Sequence, residues 1–516
     1  MTKTAAIYDR WLSTLGGGEQ VAFAYAETLR DLGFKTTMLT HSVVDSNKAE
    51  KKMGVKLNDI EIKVLPLMSS QKLSEYTENY DVFINTSYLD YFPNRSKCGI
   101  LSIFFPSQIF LTPYEYVKRA IVLPSFSHFF IYPSHFEGFR FDEYKKRTIY
   151  KWMSKKSSII FNKNVKKFSI TLFCRTMAIS LIDTINFTLE DKPVVPVRRR
   201  LYDKSNKVTY FFQLENNAHK RFTIHLPDST YAVDVALVKL TISSFRFVLY
   251  NLFKQYFPKW EMRLHGGPGV TKLSDLNSYQ KILTISNFSQ KWIRRYWGLS
   301  SLVLYPPVNV ENFLSSFKKK NWITHVGRFF VTGHNKKQLD LIKAFRKLID
   351  EKKARNWELH FVGSVADGEK HQQYFDQCKF YAQNYPIFFH TDVPFKELKI
   401  ILSQSKIYWH ATGLNEDEKK SPILFEHFGI TTVEAMASGC VPVVINAGGQ
   451  KEIVTKESGF LWNSILELID YTHILIKNEK LLQSMQEKAT SRAKYFDKSE
   501  FRLRFQELIK IYFKEN

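Results

Sequence analysis

Hydrophobic positions along this chain fall into two long series of short apolar runs alternating with amphipathic stretches. The first series places strands at 4–8, 35–40, 63–67, 81–85 and 99–105, with a helix over 21–32 that Gly33 stops. The second places strands at 322–327, 357–362, 387–389, 407–410 and 441–445. Its helices fall at 338–352, 370–384, 395–403 and 431–437. Strand–helix alternation of this kind predicts a parallel doubly wound sheet, so the pattern predicts two Rossmann-like α/β domains. In such sheets a ligand sits at the strand C-termini, here in a cleft between the two domains.

Between the series the pattern changes to period two. Runs at 208–212, 221–225 and 232–235 are strand-like and are separated by Asn, Asp and Pro turns, which predicts a β-rich insert, read as a small sandwich. The expected organisation is therefore an N-terminal domain (1–135), the insert (136–265), the N-terminal domain resumed (266–310), a C-terminal domain (311–498) and a last helix (499–516).

Residues 426–434, Glu-His-Phe-Gly-Ile-Thr-Thr-Val-Glu, are the most informative stretch. Two carboxylates stand eight residues apart across a Gly that opens a helix. The first N–H groups of a helix lack intrahelical acceptors and lie at the positive end of its dipole, so the backbone from Gly429 to Thr431 suits an anion. Glu434, inside the helix, suits two hydroxyl donors such as a vicinal diol. Glu426, in the loop before it, faces the group attached beyond the phosphates. Earlier in the chain, Gly16-Gly17-Gly18 follows the first strand and permits close backbone approach to a phosphate or sugar. It lacks the G-x-G-x-x-G spacing of a dinucleotide site. Gly327-Arg328 ends a strand and Lys336-Lys337 opens the next helix, which brings cations to the same end of the second sheet.

The excess of 74 basic over 50 acidic residues, +24 net, calls for an anionic partner without choosing among nucleotide, lipid and nucleic acid. Four widely spaced cysteines argue against a disulfide scaffold or zinc site and for a reducing compartment. No signal-peptide pattern opens the sequence, and no apolar run approaches the length of a membrane span. No Asp-x-Asp occurs, so no metal is expected on a diphosphate, and the acidic run 415–418 reads as a solvated loop.

Glu426 to Glu434, continued by Ala435-Met436-Ala437-Ser438-Gly439 and Gly448-Gly449, resembles the E-x7-E signature of retaining glycosyltransferases of family 4, which have the GT-B fold. Glu-His-Phe-Gly-Ile, with Trp409-His410-Ala411 upstream, is most similar to mannosyltransferases that extend lipid-linked oligosaccharides. The resemblance covers roughly 1–130 and 265–516. It implies sugar transfer from a nucleotide-diphosphate donor to a glycan or lipid-linked acceptor, without cofactor or metal. Glu426, Arg328 and Lys336 or Lys337 are the implied catalytic residues. Gly17, Gly18, Gly363, Thr391, Val393, His427, Phe428, Gly429, Ile430, Thr431 and Glu434 are the implied donor-binding ones. UDP and GDP stay open, because base recognition near Thr391 and Val393 is mostly through backbone groups. Phe104 stands where many relatives carry a His.

Two other readings use part of these features. A nucleotide-sugar epimerase or hydrolase of the same fold would need the donor site alone, and a nucleic-acid-binding protein would account only for the charge. Neither accounts for the donor-site motifs together with an acceptor domain, so no nucleic-acid partner is expected. The segment 140–167 carries ten Lys or Arg against two acids, interleaved with Tyr144, Tyr150, Trp152 and Phe161. It is expected to touch an anionic membrane surface from the cytoplasmic side.

Overall fold

The computed structural model describes residues 2–515 apart from 67, 69, 89, 110–112, 146–147, 176–181, 203–204, 215–219, 228–234, 258–271, 314–317, 332 and 367. The expected run at 232–234 and the insert's boundary near 265 lie outside the described residues. Two compact units divide the chain: Met1–Leu15, Phe34–Gly99 and Gln108–Tyr279 form one, and Gly16–Gly33, Ile100–Ser107 and Gln280–Asn516 the other.

In the first unit, strands Thr4–Tyr8, Lys35–Thr40, Ile60–Val64 and Val82–Asn85 pair in parallel, with Thr4–Tyr8 between Lys35–Thr40 and Val82–Asn85. Thr4–Tyr8 is buried from Ala5 onward, which is why its sequence reads as an apolar run without alternation. The rest of this unit is a nine-stranded antiparallel sheet. Its order is Lys192–Pro193, Asn186–Leu189, Arg221–His225, Thr148–Phe161, Val235–Ile242, Lys167–Cys174, Lys207–Gln213 and Arg198–Tyr202, with Pro133–Lys145 also paired to Thr148–Phe161. The insert is thus one sheet and not the two layers of a sandwich. It has no second sheet to face because one helix, Phe245–Tyr256, packs Phe247, Tyr250 and Phe253 into its core.

This corrects the reading of residues 140–167. Most of them lie in strands Pro133–Lys145 and Thr148–Phe161, which pair antiparallel within the sheet, and Trp152 and Phe161 are each about 2% exposed. Tyr150 meets the Phe173 ring edge-on at 5.2 Å. Trp152 and Phe161 are thus not open to a lipid headgroup, whereas Lys155, Lys156, Lys166 and Lys167 are exposed.

The second unit is built on six parallel strands in the order Ile387–His390, Glu358–Val362, Lys320–Val326, Ser405–His410, Val441–Ile445 and Phe460–Trp462. The reversal of direction at Lys320–Val326 is the switch point at which open α/β sheets bind ligands. Strand Lys281–Thr284 pairs in parallel with Ile100–Ile103 of the same unit. Helix Asn287–Trp297 follows, capped by the Ser286 hydroxyl and ended by Gly298 in the left-handed region. The Glu452 carboxylate reaches this helix and accepts from the Asn287 and Phe288 backbone N–H groups, each at 2.8 Å, and from the Tyr305 hydroxyl. The last helix, Lys498–Glu515, begins one residue before the expected start. It pairs Lys498 with Glu27 and Arg502 with Asp31 on helix Gly17–Asp31, while Phe501 and Phe505 pack on Tyr25.

Replacing Glu452 with Ala removes the acceptor for two N-terminal donors of helix Asn287–Trp297. The loss is expected to be about 1–2 kcal/mol, the range for a lost helix cap, read as a lower urea midpoint at unchanged slope.

Candidate functional site

The site grows from the C-terminal ends of the six parallel strands. Strand Lys320–Val326 delivers Gly327 and Arg328, and helix Gln338–Lys352 begins just after Lys336 and Lys337. Strand Ser405–His410 ends in His410, and Glu426 lies in the loop before helix Ile430–Ala437. Lys336 Nζ donates to Glu426 Oε2 at 2.5 Å, and His410 Nε2 stands 3.2 Å from the same oxygen. Burial opposes ionisation of Glu426, but the Lys336 charge and the His410 contact outweigh it and hold the carboxyl well below its usual range. Burial pushes the His410 ring down, so it is neutral, with the Nε2 proton facing Glu426 and a buried Nδ1 that has no hydrogen-bond partner among the described residues.

Three backbone approaches make this cluster possible. A Cβ on Gly327 would lie 2.8 Å from Lys336 Cγ, and one on Gly363 would lie 2.2 Å from the Gly327 carbonyl. On the other side, Gly449 N–H donates to the Glu426 carbonyl at 2.8 Å, and a Cβ on Gly449 would sit 2.5 Å from the His427 carbonyl. These are distances no side chain tolerates, so glycine is required there.

The two lysines separate. Lys336 turns onto Glu426, whereas Lys337, in the left-handed conformation at the head of the helix, donates to Glu416 at 2.8 Å. The acidic run is accordingly not a solvated loop: Glu416 holds Lys337, and Glu418 lies 3.1 Å from Lys291 and 3.6 Å from Lys451. The excess of lysine makes each such carboxylate a site of local neutralisation. Arg328 is exposed, 5.9 Å from the Phe330 ring centroid, and makes no ion pair among the described residues. It is the cation of the site left available to an anion.

At the signature helix, Gly429 adopts φ 121°, and a Cβ there would collide with Gln450 Nε2 at 2.4 Å. The Gln450 amide accepts from the Thr432 hydroxyl, but its own Nε2 is buried with no hydrogen-bond partner among the described residues. Thr431 shares a hydrogen bond with the Tyr408 hydroxyl at 2.9 Å. Phe428 is buried against Tyr305 and Phe496. The His427 ring stacks on Phe105 at 4.3 Å and is pushed down to about 3 by burial, which leaves it uncharged at neutral pH. Gly17 and Gly18 form the first turn of helix Gly17–Asp31, where their missing side chains make room for Ile430 and Phe104 respectively. Thr391 is exposed and Val393 half-buried, in the loop after strand Ile387–His390.

Glu434 differs from Glu426 in every respect that matters for ionisation. Its carboxylate makes no hydrogen bond or ion pair among the described residues, and burial alone pushes it up to about 8. Sequence reasoning did not find Gln450, Glu452 or His334. Gln450 and Glu452 lie two and four residues beyond Gly448, and His334 lies two before Lys336, near the His427 ring at 5.9 Å. Only their neighbourhood to the glycines and lysines signals them. Among the described residues, no group of three or more His, Cys, Asp or Glu is placed to hold a metal ion.

With this geometry in hand, residues 310–492 match the family described as "Glycosyl transferases group 1". The chain is 26% identical over 253 residues to a protein of Dictyostelium discoideum named "GDP-Man:Man(3)GlcNAc(2)-PP-Dol alpha-1,2-mannosyltransferase", covering 46% of this chain and 48% of that one. It is 28% identical over 242 residues to the protein of the same name from Xenopus laevis, covering 43% and 47%. The chain therefore spans about half the length of the curated relatives it matches. Among solved structures, Anabaena HepE in complex with UDP superposes with a TM-score of 0.52 at 12% identity, over 98% of this chain and 99% of that one. The fold is GT-B, as the alternation of strands and helices and the signature predicted.

Two outcomes follow from the paired carboxylates. Replacing Lys336 with Met leaves Glu426 buried beside a neutral imidazole. The expected cost is about 3–5 kcal/mol, the range for a broken buried pair, with the loss greatest above pH 5 and shrinking as Glu426 protonates. Urea titrations at pH 7 and pH 4 measure it.

The raised Glu434 carboxyl has the opposite sign. It favours the folded state while protonated, and that contribution fades as pH rises toward 8. A diol that accepts no proton but donates two hydrogen bonds selects the ionised form. Nucleoside diphosphate affinity is thus expected to rise with pH up to about 8, with proton release at pH 7, and Glu434→Gln is expected to abolish both. Calorimetry in two buffers of different ionisation enthalpy reads the proton count. Identical proton release in the variant would sink the assignment.

Proposed function

We propose that this chain is a glycosyltransferase that moves mannose from GDP-mannose to a lipid-linked oligosaccharide, with retention at the anomeric carbon and without a metal ion. The observation that carries the reading is the split pair of carboxylates. Glu426 is ionised and held by Lys336 and His410. Glu434, eight residues on, is protonated and unpartnered, and an anion-binding helix start lies between them. That arrangement suits a sugar, a diphosphate and a ribose in line, within the stretch that matches the glycosyl transferase family. The choice of GDP-mannose and of the acceptor class rests on the names of the relatives.

The reaction follows from the residues. The diphosphate lies at the start of helix Ile430–Ala437, with Arg328 beside it and the Gln450 amide as a further donor. Glu434 receives the ribose hydroxyls and loses its proton on binding. As the bond between the anomeric carbon and the β-phosphate oxygen breaks, negative charge grows on the departing diphosphate, where Arg328 and the helix start stabilise it. The acceptor hydroxyl attacks from the same face and passes its proton to the departing phosphate oxygen. One glycosidic bond forms as one breaks, and GDP leaves. No imidazole is needed at the position of Phe104. Lys336 and His410 act through Glu426, fixing the carboxylate against the sugar. Lys337, tied to Glu416, keeps the loop before the signature in place. All four cysteines are buried as free thiols, which suits work in the reducing cytoplasm.

The test is transfer of radiolabelled mannose from GDP-mannose to a lipid extract, set against UDP-glucose and UDP-N-acetylglucosamine. Transfer from GDP-mannose with retained configuration and full activity in EDTA is expected. Release of free mannose with no dependence on acceptor would mark a hydrolase instead, and recovery of lost activity by Mg²⁺ would overturn the metal-free mechanism. Arg328→Ala is expected to lower kcat by about 10²–10³, the effect of losing one preorganised charge stabiliser, with a smaller change in KM.

A further inference from the structure

We infer that Lys319 is a positioning residue for the donor diphosphate. Its ammonium ties down the far end of helix Ile430–Ala437 and so holds the start of that helix where the anion binds. The inference deepens the proposed function and rests on its reading of the helix start.

Lys319 immediately precedes strand Lys320–Val326, and its Nζ donates to two backbone carbonyls, that of Ser405 at 2.7 Å and that of Ser438 at 2.5 Å. Ser405 is the C-cap of helix Phe395–Gln404, and Ser438 is the C-cap of helix Ile430–Ala437. No carboxylate pairs with Lys319 among the described residues. An ammonium withdrawn from water without a counter-ion is costly. Here the charge meets the negative ends of two helices, each equivalent to about half an elementary charge, so together they supply about one unit of counter-charge. That explains a lysine at this point without an acid beside it.

The two ends of the signature helix are treated differently. At the C-terminus the Thr490 hydroxyl donates to the Met436 carbonyl at 3.2 Å, and the Gly439 and Cys440 N–H groups donate to Met436 and Ala435, each at 2.9 Å. The Cys440 thiol lies 3.2 and 3.3 Å from the Leu402 and Ser405 carbonyls, which ties the two helix ends to each other. At the N-terminus no side chain caps the helix, and its first turn holds no acid. A helix anchored at one end and bare at the other presents its unpaired N–H groups to a ligand. Eight residues rise only about 12 Å, and a close-packed core passes a shift at one end of so short a rod to the other. Lys319 also adjoins the strand that leads to Gly327 and Arg328, so the helix start and the guanidinium are set from a common point.

The charge matters as well as the anchor. Without it the negative pole of the helix stands uncompensated and the potential at the anion site falls. Burial pushes the Lys319 ammonium below its ordinary value. The titratable group facing it is the Cys440 thiol, which burial pushes up, so it stays neutral. Lys318 and Lys320 flank it in the chain, Lys320 lying over the Trp322 ring at 4.2 Å. The contribution of Lys319 is therefore complete while its ammonium is protonated and is lost as pH rises through the lowered value.

The test compares GDP with guanosine by calorimetry on the full chain, as native protein, Lys319→Met and Lys319→Arg, from pH 7 to pH 10. Guanosine has the base and ribose but no phosphate, so the ratio of the two affinities isolates the diphosphate and cancels the titration of Glu434. At pH 7, Lys319→Met is expected to lose at least about threefold in GDP affinity, the size of a charge–dipole contact, with guanosine unchanged. Lys319→Arg is expected to keep the native ratio. Between pH 8 and pH 10 the native ratio is expected to fall by a similar factor, whereas that of Lys319→Arg stays level because a guanidinium keeps its proton throughout. If Lys319→Met does not fold, the alkaline comparison with Lys319→Arg decides alone.

An equal alkaline fall in the native chain and Lys319→Arg would overturn the inference and leave the donor site standing. So would a Lys319→Met that loses guanosine and GDP alike, because the lysine would then support the fold in general. If UDP binds in place of GDP, the same ratios are read with UDP and uridine. A native chain that binds neither diphosphate would remove the donor-site reading, and this inference with it.

Discussion

The contact between Lys336 and Glu426 is the constraint around which the candidate site is arranged. A carboxylate this enclosed loses much of its hydration, and one counter-ion seldom repays that loss. Here the balance is tipped by a second contact from His410, whose own burial keeps it neutral and therefore a donor without a competing charge. The result is a carboxylate that stays ionised in a place where burial alone would protonate it. Glu434 shows what burial does when nothing compensates, because the same residue type eight positions later is pushed up to about 8. One short segment thus holds a charged and a neutral carboxyl side by side, which is how a site divides two roles between identical side chains.

Bringing Lys336 that close demands an empty space beside it, and Gly327 provides it. Gly363 is in turn required by the Gly327 carbonyl, and Gly448 and Gly449 by the Glu426 and His427 carbonyls. Four glycines far apart in sequence therefore serve one ion pair. A methyl group on Gly363, Gly448 or Gly449 would push on backbone, and one on Gly327 would push on the root of the Lys336 side chain, so the strain would be passed to the position of Lys336 or Glu426. Glu452 and Arg492 extend the same logic outward. Glu452 caps helix Asn287–Trp297 with its carboxylate while its own carbonyl accepts from Arg492, so that helix is fixed to the segment that follows the glycines.

The parallel sheets were legible because their strands are short apolar runs set between glycines and amphipathic stretches, and the signature helix because Gly429 and Gly439 bracket it. The expected strand 81–85 and helix 338–352 agree with the observed Val82–Asn85 and Gln338–Lys352 to within one residue. What was not legible has a common cause. Period-two alternation says that a strand has two faces, not which face is covered, so the aromatic residues of 140–167 were read as facing a membrane surface when Trp152 and Phe161 are buried. The partner of each lysine was equally hidden. Adjacent residues leave a helix start about 100° apart, and only the fold decides that Lys336 meets Glu426 while Lys337 meets Glu416.

The large positive charge takes on a different meaning once its locations are known. Within the site itself most of the cations are spoken for: Lys336 by Glu426, Lys337 by Glu416, Lys291 and Lys451 by Glu418. Arg328 alone stands without an ion pair there among the described residues. A diphosphate carries more charge than one guanidinium can balance, so the helix start at Gly429 must carry part of the load. Five cations thus face three carboxylates before the anion arrives, so the site keeps a small positive excess. The surplus charge lies elsewhere, much of it on the antiparallel insert, where Arg198, Arg200, Lys155, Lys156, Lys166 and Lys167 are exposed.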